Sequence, residues 1–336
     1  MIQMTEKNTN HTDGVRRSIF ELAPHMEPLV LPRPLKKIGN KVNILALGDV
    51  GATLLLGLKT QGSEIIDTIG IFDVNENVVA RYEIEMNQIG WPFAMKPLPK
   101  VVGLTEDELF DCDMFVFCAS KAIPPIGAQG DVRMMQLEAN SKIAAHYGRL
   151  AGEAGFKGIF AVVSDPVDPL CKAVLDASGL EPAQVRGYGL GVMNKRAEYF
   201  ASKEQRFSSY LTEGRAFGPH GGDLVIANSI ENYHDELSKE LTKLTVEANL
   251  QVRALGFKPY FAPAFSSGAI SLLLTLMGEW NCSSVYLGKG SEGAFLGIKN
   301  RIDGSRTEIE DLPLPEKLYE RIELAYTNLC RLNQEK

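Results

Sequence analysis

The chain has 336 residues, 45% of them hydrophobic and 23% charged, with a formal net charge of −7. That length has room for two domains, and the acidic balance excludes nucleic acid as the main partner, because phosphate backbones are held by basic surfaces. No apolar run is long enough to cross a bilayer, and the five scattered cysteines, Cys112, Cys118, Cys171, Cys282 and Cys330, have neither disulfide-scaffold nor zinc-ligand spacing.

Residues 1–40 read as a polar arm with prolines at Pro24, Pro28, Pro32 and Pro34. It has too little apolar periodicity for a core of its own. A packed extension or an oligomer arm is expected, and disorder at its start equally so. Residues 1–14 hold no apolar signal core, so a cytoplasmic protein is expected. From Lys41 the pattern becomes strand, glycine turn, helix. Strands are expected at 42–47, 68–73, 114–118, 158–163 and 185–189. Helices are expected at 52–60, 132–153 and 170–177. Repeated strand–helix units imply a parallel sheet covered on both faces. The second half is less regular, with helices at 230–255, 267–279 and 315–333 and strands near 285–288 and 293–298. The reading is a Rossmann-type α/β fold: an arm at 1–40, a dinucleotide-binding domain at 41–189, and a mixed α+β substrate domain at 190–336.

Two segments carry chemistry. The turn Ala46-Leu47-Gly48-Asp49-Val50-Gly51 fits the dinucleotide fingerprint with Ala46 in the first glycine's place. Gly48 lets the main chain approach a pyrophosphate, Gly51 lets strand and helix pack, and the helix's first amides hold the phosphates. Asp73 ends the next strand, where a carboxylate accepts hydrogen bonds from ribose hydroxyls. It would repel a ribose phosphate, and no Arg or Lys follows before Arg81, so NAD is expected rather than NADP. Asp49 is discordant at a phosphate site, and an orientation away from the ligand is expected. The other segment, Arg215-Ala216-Phe217-Gly218-Pro219-His220-Gly221-Gly222-Asp223, sets a lone histidine among glycines. A histidine so placed can move a proton near neutral pH; the bland alternative is a turn histidine bonded to local backbone. His11, His25, His146 and His234 are weaker candidates, in the arm or on charged helix patterns. For the cysteines, buried reduced thiols are the better reading, with Cys118 a possible exception because it precedes a loop expected at the active site.

In this order and spacing, the glycine turn, Asp73, Arg133 seven residues before Asn140, Ser164-Asp165-Pro166-Val167-Asp168, Arg196 and Gly218-Pro219-His220-Gly221 resemble the lactate and malate dehydrogenase superfamily, from about Lys41 to Arg301. The resemblance implies a homo-oligomer, dimer or tetramer, that binds NAD and a small substrate and needs no metal. It implies that His220 exchanges a proton with substrate oxygen while the nicotinamide exchanges hydride. Arg196 would clamp the substrate carboxylate bidentately, or else be a surface arginine at a helix start. Arg133 would polarise the reacting carbonyl, or else be an exposed helix residue. Asn140, Ser266 and Ser267 fall near the substrate, with helix capping an equal explanation for the serines. Cys118, Ala119 and Ser120, at the end of their strand, would join the glycine turn around the cofactor.

Three departures from the family pattern stand out. The aspartate that orients the family's histidine is replaced by Met193, beside Asn194. The family's Asn-Pro is Asp165-Pro166, so Asp165 is expected to supply the missing charge near His220, with local turn capping as the alternative. The specificity loop, Ser120-Lys121-Ala122-Ile123-Pro124-Pro125-Ile126-Gly127-Ala128-Gln129-Gly130-Asp131, lacks the arginine with which malate enzymes hold a second carboxylate. Without it oxaloacetate would bury an unpaired charge, so a less acidic 2-oxo acid is expected. The alternatives are a dehydrogenase of an amino-substituted substrate, drawn by Asp165, and a non-catalytic NAD-binding regulatory protein.

Overall fold

The computed structural model describes residues 15–94, 96–121 and 132–334, the side chains of residues 94, 132–136 and 334 excepted. The arm from Val15 onward packs on its own chain. Its short strand β1 (Arg16–Arg17) pairs antiparallel with β13 (Leu314–Pro315), and Ile19, Leu29 and Leu31 are buried in the main core. Arg33 and Lys36 both hold the buried Asp113, at 2.9 and 2.8 Å. Residues 1–14 lie outside the described residues.

The strand–helix alternation is present, and it holds more elements than the sequence pattern marked. In chain order it runs β2 (Asn40–Leu45), α1 (Asp49–Gln61), β3 (Ile66–Phe72), α2 (Glu76–Asn87), β4 (Lys100–Gly103), β5 (Met114–Phe117), α3 (Val132–Glu153), β6 (Ile159–Val162), α4 (Val167–Ser178) and β7 (Val185–Gly187). These six strands form a parallel sheet in the order β7-β6-β5-β2-β3-β4. The order reverses beside β2, which is where open α/β sheets bind their ligands. Wholly apolar β5 and β6 are buried on both faces, as a covered parallel sheet requires. Sequence periodicity passed over α2 and β4 because each buries a single residue, Met86 and Val101, and so shows no apolar run.

Beyond β7 come α5 (Leu190–Lys203), α6 (Tyr210–Glu213), the hairpin β8 (Arg215–Phe217) and β9 (Val225–Ala227), α7 (Asp235–Ala254), a π-helical stretch Pro263–Ile270 and α8 (Ser271–Met277). Then β10 (Asn281–Lys289), β11 (Glu292–Asp303) and β12 (Arg306–Ile309) form an antiparallel set that joins the parallel sheet through a Ser284–Gly187 pairing. Helix α9 (Glu316–Gln334) closes the chain. A second, smaller core under α5, the β8–β9 hairpin and α7 is built from Leu190, Met193, Phe200, Phe207, Ile226 and Leu241 among others.

Helix boundaries differ from the periodicity where capping decides them. The helix expected at 170 starts at Val167, directly after Pro166 as N-cap. The helix expected at 230 starts at Asp235, because His234 Nδ1 accepts a hydrogen bond from the Leu237 amide at 3.3 Å. The helix expected at 267–279 begins with the π-helical stretch at Pro263, and left-handed Gly278 (φ 73°) ends it.

Candidate active site

The glycine turn follows β2 directly. Ala46 takes a left-handed conformation, φ 73°, unusual for a residue with a side chain. This swings the Ala46 carbonyl oxygen against Gly51, where an added Cβ would lie 1.9 Å from it; glycine is required there. A Cβ added to Gly48 would meet nothing within 4 Å and would intrude on the cleft. Gly48 is also the N-cap of α1 and offers no side-chain cap, so the helix's first amides remain for an anion. Asp73 braces the turn: one carboxylate oxygen accepts from the Leu47 amide at 2.8 Å and the other from the Asn75 amide at 3.0 Å. Each oxygen keeps a lone pair, as ribose recognition needs. These features fit a dinucleotide.

Two cavities meet at this turn. One, of about 900 Å³, is lined by Ala46, Gly48, Asp73, Cys118, Ala119, Ser120, Lys121 and Tyr147. The other, of about 600 Å³, runs from Gly48, Asp49, Val50 and Gly51 past Asp165 to Arg196 and His220, with Arg253, Lys258 and Tyr260 on its far side. All nine residues expected around the cofactor therefore line one or both cavities. Burial pushes the Cys118 thiol up to about 12, which keeps it protonated and removes it as a nucleophile.

The wall that carries His220 is assembled from separate segments. His220 packs against the start of α5, where a Cβ on Gly189 would come 2.7 Å from its own Cβ. Its Nδ1 lies 3.0 Å from Asp165 Oδ1, with the imidazole side chain 16% exposed and the carboxylate 60%. Burial alone would lower the ring's pKa, and Arg196 acts in the same sense. The charge of Asp165 and its hydrogen bond outweigh both, so the pKa stands above its ordinary value. Met193 is buried in the smaller core. Asn194 is turned elsewhere, donating to Glu198 at 2.7 Å and accepting from the Tyr210 hydroxyl at 2.8 Å. The acid that meets the imidazole here is thus Asp165.

Arg196, on the second turn of α5, is half-buried. Its Nη1 donates to the Met193 thioether at 3.4 Å, and among the described residues it enters no salt bridge. Burial lowers its pKa, and the charge of Asp165 works against that.

Asn140, Ser266 and Ser267, expected near the substrate, make hydrogen bonds within the protein. Asn140 is fully buried; its Oδ1 accepts from the Lys121 amide at 2.8 Å and its Nδ2 donates to the Asp165 carbonyl at 2.9 Å. It ties the start of the specificity loop to the Asp165 turn and does not reach into the cleft. Ser267 is also buried, and its hydroxyl caps α5 from another segment: it donates to the Gly189 carbonyl at 2.7 Å and accepts from the Val192 amide at 2.8 Å. It bolts the π-helical stretch to the first turn of α5. Ser266 does not line either cavity; its carbonyl accepts from the Ser271 hydroxyl at 2.7 Å. The Arg133 side chain and residues 122–131, including the Ile123-Pro124-Pro125-Ile126 run, lie outside the described residues.

The burial of Asp168 and the make-up of the cleft's far wall carried no local sequence signal. Asp168, in the first turn of α4, is buried, its Oδ1 has no hydrogen-bond partner, and burial pushes its pKa up to about 7 although the His220 charge pulls it down. The far wall contributed by Arg253, Lys258 and Tyr260 runs from the end of α7 into the π-helical stretch, which packs on α1 through Phe265, Gly268 and Ala269, and no local pattern encodes that packing.

A parallel sheet with a glycine turn at its switch point, an aspartate braced against that turn at the end of the next strand, and a histidine–arginine pair in the adjoining cavity define the class: an NAD-dependent oxidoreductase. Residues 40–187 match the family model of the lactate/malate dehydrogenase NAD-binding domain. The chain is 30% identical over 225 residues to the L-lactate dehydrogenase of Geobacillus kaustophilus, covering 62% of this chain and 67% of that one. It is 28% identical over 277 residues to the L-lactate dehydrogenase of Macrococcus caseolyticus, covering 74% and 85%. The fold is shared with the minor L-lactate dehydrogenase of Enterococcus mundtii (TM-score 0.73, 20% identity, 88% of this chain and 98% of that one). It is shared too with the malate dehydrogenase of Picrophilus torridus (TM-score 0.70, 20% identity, 88% and 98%). The chain belongs to the lactate/malate dehydrogenase superfamily.

Proposed function

We propose that the protein interconverts a 2-hydroxy acid and a 2-oxo acid other than oxaloacetate, using NAD. The observation that carries this reading is the meeting of Arg196, Asp165 and His220 in the cavity that begins at the glycine turn. The relatives' activity, L-lactate dehydrogenase, supports the substrate class. The dinucleotide, when bound, donates or accepts the hydride. Arg196 grips the substrate carboxylate through two parallel hydrogen bonds, which also orients the carbonyl. In reduction His220 gives the carbonyl oxygen a proton from Nε2, the nitrogen Asp165 does not use. Asp165 fixes the tautomer and stabilises the imidazolium, the role the family pattern gives to an acid at position 193. Arg133 polarises the carbonyl, as the family pattern implies.

NADH oxidation against a panel of 2-oxo acids with graded side chains tests the reading. Turnover on neutral or apolar side chains, with oxaloacetate poor, is expected. Tight NADH binding with no turnover anywhere on the panel would overturn it in favour of a regulatory NAD-binding protein.

A further inference from the structure

At the phosphate corner the two sides of the cleft are joined by an ion pair. Asp49, the first residue of α1 and the neighbour of Gly48, places Oδ2 2.9 Å from Lys258 Nζ. Lys258 lies between α7 and the π-helical stretch, 209 residues further along the chain. Both residues line the cavity that holds His220, as does Arg253. A carboxylate at a helix N-terminus suits the helix dipole. Here, however, it sits beside the glycine that opens the pyrophosphate site, where a dinucleotide brings two negative charges. The pair is exposed, the Lys258 side chain 80% and Asp49 49%, so it adds little to stability and neither side chain is locked in place.

We infer that Lys258 is a cofactor-binding residue kept in waiting by Asp49: on dinucleotide binding its ammonium exchanges the carboxylate for pyrophosphate oxygens. A phosphate pair presented together with the free amides of α1 is a stronger partner for an ammonium than one solvated carboxylate. Asp49 thereby serves as a positioning residue, and the negative charge it brings is answered before the ligand arrives. The inference rests on the dinucleotide reading. The two fail differently, since wild-type protein that does not bind NADH would overturn that reading before any variant is made.

The test measures dissociation constants for NADH, for ADP, which carries a pyrophosphate, and for adenosine, which carries none. The proteins are wild type, Lys258→Met, Asp49→Asn and the double variant. Lys258→Met is expected to weaken NADH and ADP about fivefold and to leave adenosine unchanged, with the effect shrinking as salt rises. Asp49→Asn is expected to tighten NADH about threefold, and Lys258→Met to weaken it in that background as well. The inference is overturned if Lys258→Met leaves ADP unchanged. It also falls if the effect vanishes once Asp49 is neutralised, because the lysine then only masks the acid, or if adenosine weakens equally, because the pocket itself is then deformed.

Discussion

The glycine-turn wall and the histidine wall of the cleft are built in different ways. From Ala46 to Asp73 the first wall is one continuous stretch in which main-chain amides, a forced close approach at Gly51 and one bracing carboxylate form the site. The second wall draws Asp165 from the end of β6, Arg196 from α5 and His220 from the turn after β8, and its side chains carry the chemistry. A main-chain site is bound to the few residues that allow its turn. A side-chain site needs only the right charge near the right atom, whichever segment brings it. The acid can therefore sit at position 165, with a buried methionine at 193.

Variants that strike one wall and spare the other test this separation. His220→Asn is expected to lower kcat/KM by three orders of magnitude or more, with NADH affinity within about twofold of wild type by fluorescence titration. An equal loss of NADH affinity would mean that the walls are not separable. Arg196→Leu is expected to lower kcat/KM about a hundredfold, largely through KM for the 2-oxo acid, because a bidentate charged contact is lost; NADH affinity again holds.

Asp165→Asn ranks third, with a fall of about tenfold to a hundredfold in kcat. Here the pH profile is more telling than the rate. Asp165 raises the His220 pKa, and reduction needs the protonated ring, so reductive activity is present below that pKa and falls as pH rises through it. Without the carboxylate the falling limb moves to lower pH, and the rising limb of the oxidative reaction moves the same way. A pH profile that does not shift would leave Asp165 as a turn residue only.

The same contrast explains what the sequence disclosed. The parallel sheet, the glycine turn and Asp73 were legible because each is written in contiguous residues with a local physical meaning. His220 and Arg196 stood out through glycine context and family resemblance, and the structure brings them into one cavity. The main-chain contacts of Asn140 and Ser267 were not legible for one reason: a polar side chain near an active site looks alike in sequence whether it faces ligand or braces main chain. Only the partners of their hydrogen bonds, Lys121 and Asp165 for one and Gly189 and Val192 for the other, decide it. The burial of Asp168 and the pairing of Lys258 with Asp49 depend on tertiary placement alone.

The smallest effect is expected where the glycine-turn wall departs from its own pattern. Ala46 holds φ at 73°, a conformation that costs a residue with a Cβ roughly 1 kcal/mol. Ala46→Gly removes that strain, but a glycine has more freedom to lose on folding, by about 0.5–1 kcal/mol. The two nearly cancel, so thermal denaturation should show a gain of no more than a degree or two. Ala46 also lines the larger cavity beside Gly48 and Asp73, so the variant separates strain from contact. An unchanged or slightly tighter NADH affinity means that the main chain and the Asp73 carboxylate suffice for this wall. A clear loss of affinity would show that the alanine side chain also packs against the ligand.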